Sequence, residues 1–288
     1  MISFFDTRIP SSMAPLDCME NMLLLEMGTG TLESTLAERW QSVPLAEEVS
    51  AAFWPSSELL RTLAERGTGF LLADGEGRPL AAGGDRSRVV PPDADSFLIR
   101  YPWDLLRIQE EIYPLFTESR IRGVVREGAV TDGIVRLGEG SVLLPGVFIE
   151  GVAVIGRNCR LGPNCYLRGN TFIGDDCHIG QAVEVKNAIL MHHTAAGHLS
   201  YIGDSIVCPD TNFGAGTITS NFRHDGGNHK VFVDGVLTDT GRRKFGAVIG
   251  RKVHTGIHTA IYPGRKIGSG AGTLPGEVVR RNIGGVPD

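Results

Sequence analysis

Lysine is missing from the first 185 residues of the chain, and the first one is Lys186. That absence removes a phosphate-loop reading of "MGTGT" at 27–31, which also lacks the full GxGxxG spacing. No run of about 18 apolar residues is present, so no membrane-spanning helix and no membrane partner are expected. The opening "MISFFDTRIPSSMAPLD" has acidic Asp6 and two prolines where a signal peptide would have a basic segment followed by an apolar one. A cytoplasmic address is therefore expected. The five cysteines, Cys18, Cys159, Cys165, Cys177 and Cys208, are odd in number and contain no CxxC pair. This argues against a disulfide framework and a zinc ribbon, and they read as packing residues. Basic runs interleaved with aromatics are also missing and the net charge is −5, so no nucleic-acid partner is expected.

What is present is the composition of a globular protein, 42% hydrophobic and 21% charged, in 288 residues. That length accommodates two ordinary domains. Charge divides unevenly. Residues 1–120 hold 10 Lys and Arg against 19 Asp and Glu, whereas residues 121–288 hold 18 against 14. Within 223–281 the balance is 11 basic to 4 acidic, a bias suited to a phosphate-bearing small ligand or to an ordinary solvated face.

From Leu137 an aliphatic side chain recurs every six residues: Leu143, Ile149, Ile155, Leu161, Leu167, Ile173, Ile179, Val185, Met191. Small or β-branched residues often stand four places later, among them Ser141, Val147, Ala153, Cys159, Cys165, Thr171, Cys177 and Val183. A helix period cannot produce this register; a parallel β-helix with short strands and glycine-assisted corners does. The period resumes at Ile249, Thr255, Ile261 and Ile267, and Ile202, Val207, Phe213 and Thr219 bridge the gap with one five-residue step. Between the runs, the pattern vanishes over a loop placed at 222–246, where "HDGGN" signals a turn and "VFVDGV" a hairpin.

Residues 1–120 lack the hexad. Apolar runs ("MLLLEMG", "GFLLADG", "SFLIRY") alternate there with helix-like segments ("TLESTLAERWQS", "SSELLRTLAERG", "PWDLLRIQEEIYPLF"). This predicts a small α/β domain, with Ser56 or Ser57 capping the second helix. The β-helix domain is assigned to 121–288.

"APLDCMENMLLLEMGTGTLESTLAERW" and "YPWDLLRIQEEI" resemble pieces of sugar-phosphate nucleotidyltransferase domains. Such domains carry an arginine in a glycine-rich loop and a downstream catalytic lysine. With no lysine before Lys186, uridyltransferase activity is not expected, and a degenerate domain with a structural or substrate-capping role is.

"AGHLSYIGD" followed by "TNFGAGTITSN" resembles the acetyltransferase domain of the bifunctional glucosamine-1-phosphate acetyltransferase / N-acetylglucosamine-1-phosphate uridyltransferase family. "DTGRRKFGAVIG" and "TGIHTAIYPGRKIG" are most similar to its archaeal-type members. The resemblance covers about residues 120–288 and implies a left-handed β-helix that trimerises, with active sites between subunits. It implies acetyl-CoA as co-substrate, no metal, and an amino sugar phosphate as acceptor, glucosamine 1-phosphate or galactosamine 1-phosphate first.

Acetyl transfer to an amine needs a base to take the nitrogen's proton, and imidazole is suited to this near neutral pH. The family's base matches His198, and Asn221 matches the residue that orients the amine. Tyr201 and Asn212 match sugar-binding positions. Arg168 and Lys186 match an arginine and a lysine that grip the substrate phosphate, and Glu184 a carboxylate near the amine. The backbone of Gly214, Ala215 and Gly216 matches the segment beside the thioester, and Arg281, with Arg280 as its neighbour in an ambiguous register, a contact to coenzyme A. The loop departs from the bacterial pattern: its lysine corresponds to His229 or Lys230, and a tyrosine is replaced by Phe222.

Two other readings stay open. One is a non-catalytic sugar-nucleotide or acyl-CoA binding protein. The other is a zinc carbonic-anhydrase-like β-helix, for which His193 and His198 have a suitable spacing and His178 is the one candidate third ligand. His192 otherwise reads as a surface residue, as does His193.

Overall fold

The computed structural model describes residues 2–16, 19, 21–27 and 30–287. Cys18 and part of "MGTGT" lie outside the described residues. Two compact units are present: Met1–Ile9, Met19–Leu25 and Thr29–Arg100 form one, and Pro10–Cys18, Glu26–Gly28 and Tyr101–Asp288 the other.

The first unit is a mixed five-stranded sheet in the order Ser3–Phe5, Glu48–Ser50, Pro79–Gly83, Phe70–Ala73, Val89–Val90. Helices α1 (Leu32–Trp40) and α2 (Ser57–Arg66) belong with it. Ser56 is the cap of α2, its side chain accepting from the Leu59 N–H, and Gly67 closes the helix in the left-handed region. Trp40, Val49, Phe53, Leu60, Phe70 and Leu72 fill its core.

The second unit is the expected parallel β-helix. Its strands pair in parallel with a step of 18 residues per coil (Leu143 with Leu161, Leu161 with Ile179), then of 17 (Val185 with Ile202, Tyr201 with Ile218), then of 42 across the loop (Ile218 with Ala260) and of 18 again (Ala260 with Val278). One face is a six-stranded sheet running from Val124–Val125 to Asn212–Phe213, and the others merge into one sheet because strands such as Tyr166–Ile173 bend round a corner. The bend is made by stacked glycines; Gly151 has φ +86° and Gly169 φ +65°, values that side chains with a Cβ rarely adopt.

Both inward rows read from the sequence are buried, from Leu143, Ile149 and Leu161 to Ser141, Cys159, Cys165 and Thr171. The register slips earlier than the sequence indicates. Ile173 pairs with Leu190, not Met191, so a five-residue step already falls between Val185 and Leu190. Met191 is also buried, and that hid the slip. The predicted hairpin is found as Lys230–Val233 against Val236–Asp239. Asp234 and Gly235 form its turn, both with positive φ.

Helix α3 (Pro102–Ile112) belongs to this second unit. Gln109 donates to the Asn170 carbonyl at 2.5 Å, Trp103 meets Phe245 edge-on at 5.8 Å, and Glu110 pairs with Arg242.

Candidate active site

Coil stacking brings five of the twelve sequence-selected residues together: Arg168, Glu184, Lys186, Tyr201 and Asn221. Tyr166, Glu184, Tyr201 and Ile218 lie in register on successive strands, as do Arg168, Lys186 and Gly203. Neighbouring members are therefore about 4.8 Å apart. Arg168 Nε donates to Glu184 Oε1 at 2.7 Å. Burial works against the Arg168 charge, but Glu184 more than offsets it and holds the guanidinium above its ordinary pKa.

One coil further on is a buried polar network that the motif reading did not assign. Asp204 is 2% exposed and accepts from Lys186 Nζ at 2.9 Å, Asn187 Nδ2 at 3.3 Å and Asn221 Nδ2 at 2.5 Å. Asn221 Nδ2 also donates to the Tyr201 hydroxyl at 2.8 Å. The Tyr201 phenol is pushed up by burial first, then by the charges of Asp204 and Glu184. Asp204 sits in the left-handed corner above Asn187, with φ +49°, where a short polar side chain is tolerated. Lys186, 7% exposed, is held by this carboxylate, whereas Arg168 is more open. The signal for Asp204 was present in "YIGD": an acidic residue at a hexad corner, directly after a glycine.

His198 and Asn212 are exposed on the neighbouring six-stranded face, at the ends of Ala195–His198 and in Asn212–Phe213. The His198 carbonyl accepts from Gly216 N at 3.2 Å, and Gly214 N donates to Thr255. Of the three amides in "GAG", the Ala215 N–H is the one left by these coil bonds.

Burial separates the two loop candidates. His229 is buried, with Nε2 3.0 Å from the Asn221 carbonyl oxygen, and burial pulls its imidazole below the ordinary value. Lys230 is exposed on the hairpin, and Phe222, bridged to Lys244, is also exposed. At the C-terminal end Arg281 is exposed, and Arg280 lies over the Tyr262 ring at 5.9 Å. His193, paired by spacing with His198, lies instead between Asp176 and Asp210, at 3.5 and 3.2 Å. Burial lowers His178, and Arg160 and then His198 add to the shift.

The coils that carry the histidine, the GAG turn and the Lys–Asp–Asn–Tyr network are similar in sequence to known proteins. The profile described as "GMPPB C-terminal domain" matches residues 143–267. The bifunctional sugar-1-phosphate nucleotidylyltransferase/acetyltransferase of Sulfurisphaera tokodaii is 38% identical over 205 residues, 71% of this chain and 51% of that protein. The chain is a homologue of these bifunctional enzymes. The bifunctional protein GlmU of Methanococcus aeolicus is 41% identical over 170 residues, 58% of this chain and 40% of its own length. The chain thus spans about half, or less, of the length of these curated relatives. Among solved structures, a mutant perosamine N-acetyltransferase from Caulobacter crescentus with CoA and GDP-perosamine aligns over 86% of this chain and 89% of its own, at 14% identity and a TM-score of 0.24. That likeness is too slight to bear on fold or ligand. Among the described residues no helix is long and apolar enough to cross a membrane.

Proposed function

We propose that the β-helix transfers the acetyl group of acetyl-CoA to the amine of an amino sugar phosphate, with glucosamine 1-phosphate or galactosamine 1-phosphate as the first candidates. The observation that carries this reading is the Lys186–Asp204–Asn221–Tyr201 network beside the Arg168–Glu184 pair. A polar network anchored on a buried ion pair holds its members in one arrangement. Here it ties the Asn221 amide to the Tyr201 phenol on the coils that carry the Arg168–Glu184 pair.

In this reading, Arg168 takes the phosphate with its fork of donors, and the charge of Lys186 supports it from beneath. Asn221 and Glu184 orient the amine, while Tyr201 and Asn212 bind the sugar. The nitrogen lone pair attacks the thioester carbonyl carbon as His198 takes the nitrogen's proton. The C–N bond forms, the Ala215 N–H donates to the developing oxyanion, and the C–S bond then breaks. The coenzyme A thiolate leaves and recovers the proton from His198. Gly214 and Gly216 shape the turn, and Arg281 binds coenzyme A.

His198 and Arg168 lie on different sheets of the β-helix, so the reading includes a homotrimer in which a neighbouring copy completes the site. It also includes a cytoplasmic setting and no uridyltransferase activity, since the catalytic lysine of that chemistry has no counterpart in residues 1–185.

The test is thiol release from acetyl-CoA with glucosamine 1-phosphate, galactosamine 1-phosphate, glucosamine 6-phosphate and a UDP-linked amino sugar. One sugar should support release, and His198→Ala should lower turnover by roughly 10² to 10⁴ with the melting temperature unchanged. Silence across the panel, or full rate in His198→Ala, overturns the reading.

A further inference from the structure

The same corner of five successive coils is formed by Arg157–Asn158, Asp175–Asp176, His192–His193, Pro209–Asp210 and Arg251–Lys252. Backbone bonds join them rung by rung: Asp176 N to the Arg157 carbonyl, His193 N to that of Asp175, Asp210 N to that of His192, Lys252 N to that of Pro209. Asp176, His193 and Asp210 all sit in the left-handed region, at φ +57°, +55° and +60°. Their side chains therefore leave the corner in parallel, about 4.8 Å apart. Asp or His at a left-handed corner needs no special explanation. Two adjacent histidines flanked above and below by carboxylates do.

One ligand atom from each of His192, His193 and Asp210 lies within 4.8 Å of the others. His193 Nδ1 and Asp210 Oδ1 are 3.2 Å apart, close to the separation of about 3.4 Å between donors sharing a tetrahedral ion. Each imidazole also has a carboxylate behind it. Glu26 contacts His192 Nδ1 and accepts from the His192 backbone N–H at 2.7 Å, which leaves Nε2 with its lone pair. Asp176 lies 3.5 Å from His193 Nε2, which leaves Nδ1 facing Asp210. A carboxylate on the far nitrogen is the usual way a metal-binding histidine is oriented. The charge balance agrees. Glu26, Asp175, Asp176 and Asp210 face two guanidiniums, Arg157 on Asp175 at 2.7 Å and Arg251 on Asp210 at 2.9 Å.

We propose that His192, His193 and Asp210 bind a divalent transition-metal ion of the zinc, cobalt or nickel class, with Glu26 and Asp176 as positioning residues. Two imidazoles and one carboxylate suit these ions better than calcium or magnesium. Solvent completes the coordination, since His193 is exposed. The site is separate from His198 and plays no part in acetyl transfer. Through Glu26, it fastens the segment around Glu26–Met27 to the coils.

The experiment uses the full chain, stripped with EDTA and titrated with ZnCl2 by calorimetry and with CoCl2 by visible absorption. One ion per chain is expected, with a cobalt band of four- or five-coordinate intensity. His193→Asn, which tolerates the left-handed corner, should abolish saturable binding while the metal-free protein melts as wild type. Glu26→Gln should weaken binding about 10- to 100-fold. His198→Ala should bind as wild type. If His193→Asn fails to fold, His192→Gln carries the same expectation. No saturable binding by the wild type, binding undiminished in His193→Asn or in its substitute, or loss of binding in His198→Ala each overturns the proposal.

Discussion

Asp204→Asn tests the buried network with little change of shape. Asparagine accepts the left-handed corner at φ +49° as readily as aspartate does, so the backbone is unaffected. What changes is charge. Lys186 Nζ, on a side chain 9% exposed, loses the carboxylate at 2.9 Å, and Asn221 loses its charged acceptor at 2.5 Å. Removing one partner of a buried ion pair costs about 3–5 kcal/mol, because the other charge stays desolvated. At about 2–4 °C per kcal/mol for a chain of this size, the melting temperature should fall by roughly 6–20 °C. Adding Lys186→Met removes the stranded charge, so the double variant should melt above Asp204→Asn alone. Circular-dichroism melts of the wild type, both single variants and the double variant measure the coupling as a cycle. A melt of Asp204→Asn within about 2 °C of wild type, against the 3–5 kcal/mol expected, would refute the reasoning. So would a double variant that is worse than either single one.

Gly169→Ala should destabilise by about 1–3 kcal/mol, read as a lower denaturant midpoint. Its backbone has φ +65°, and an added Cβ would lie 2.0 Å from Asn187 Oδ1. His229 is lowered in the fold by burial, so the unfolded chain binds the extra proton first as pH falls. Its contribution is present above the ordinary imidazole range, about pH 6.5, and is lost as pH drops through the lowered folded value. Melts from pH 8 to 5 should show that loss, reduced in His229→Gln. Burial pushes the Cys165 thiol up to about 12, so peptide mapping after iodoacetamide at pH 8 should find it unmodified in the native protein and modified in urea.

The hexad was legible because it is local: each aliphatic residue is set by its distance along the chain, and any coil of the right length buries the same row. The Ser56 cap and the "VFVDGV" hairpin were legible for the same reason, since their partners lie within a few residues. The early slip between Val185 and Leu190 was hidden because Leu190 and Met191 are equally apolar, and only pairing with Ile173 distinguishes them. The motif located Arg168, Glu184, Lys186, His198, Tyr201 and Asn221 but missed Asp204, whose partners sit 17 and 18 residues away on other coils. Glu26 and His192 are 166 residues apart, and no pattern along the chain joins them. Periodicity along the chain determined the coil and its inward rows, and the family resemblance supplied the motif residues. Stacking decided which charges meet, because a pairing between coils depends on the exact length of every coil between them.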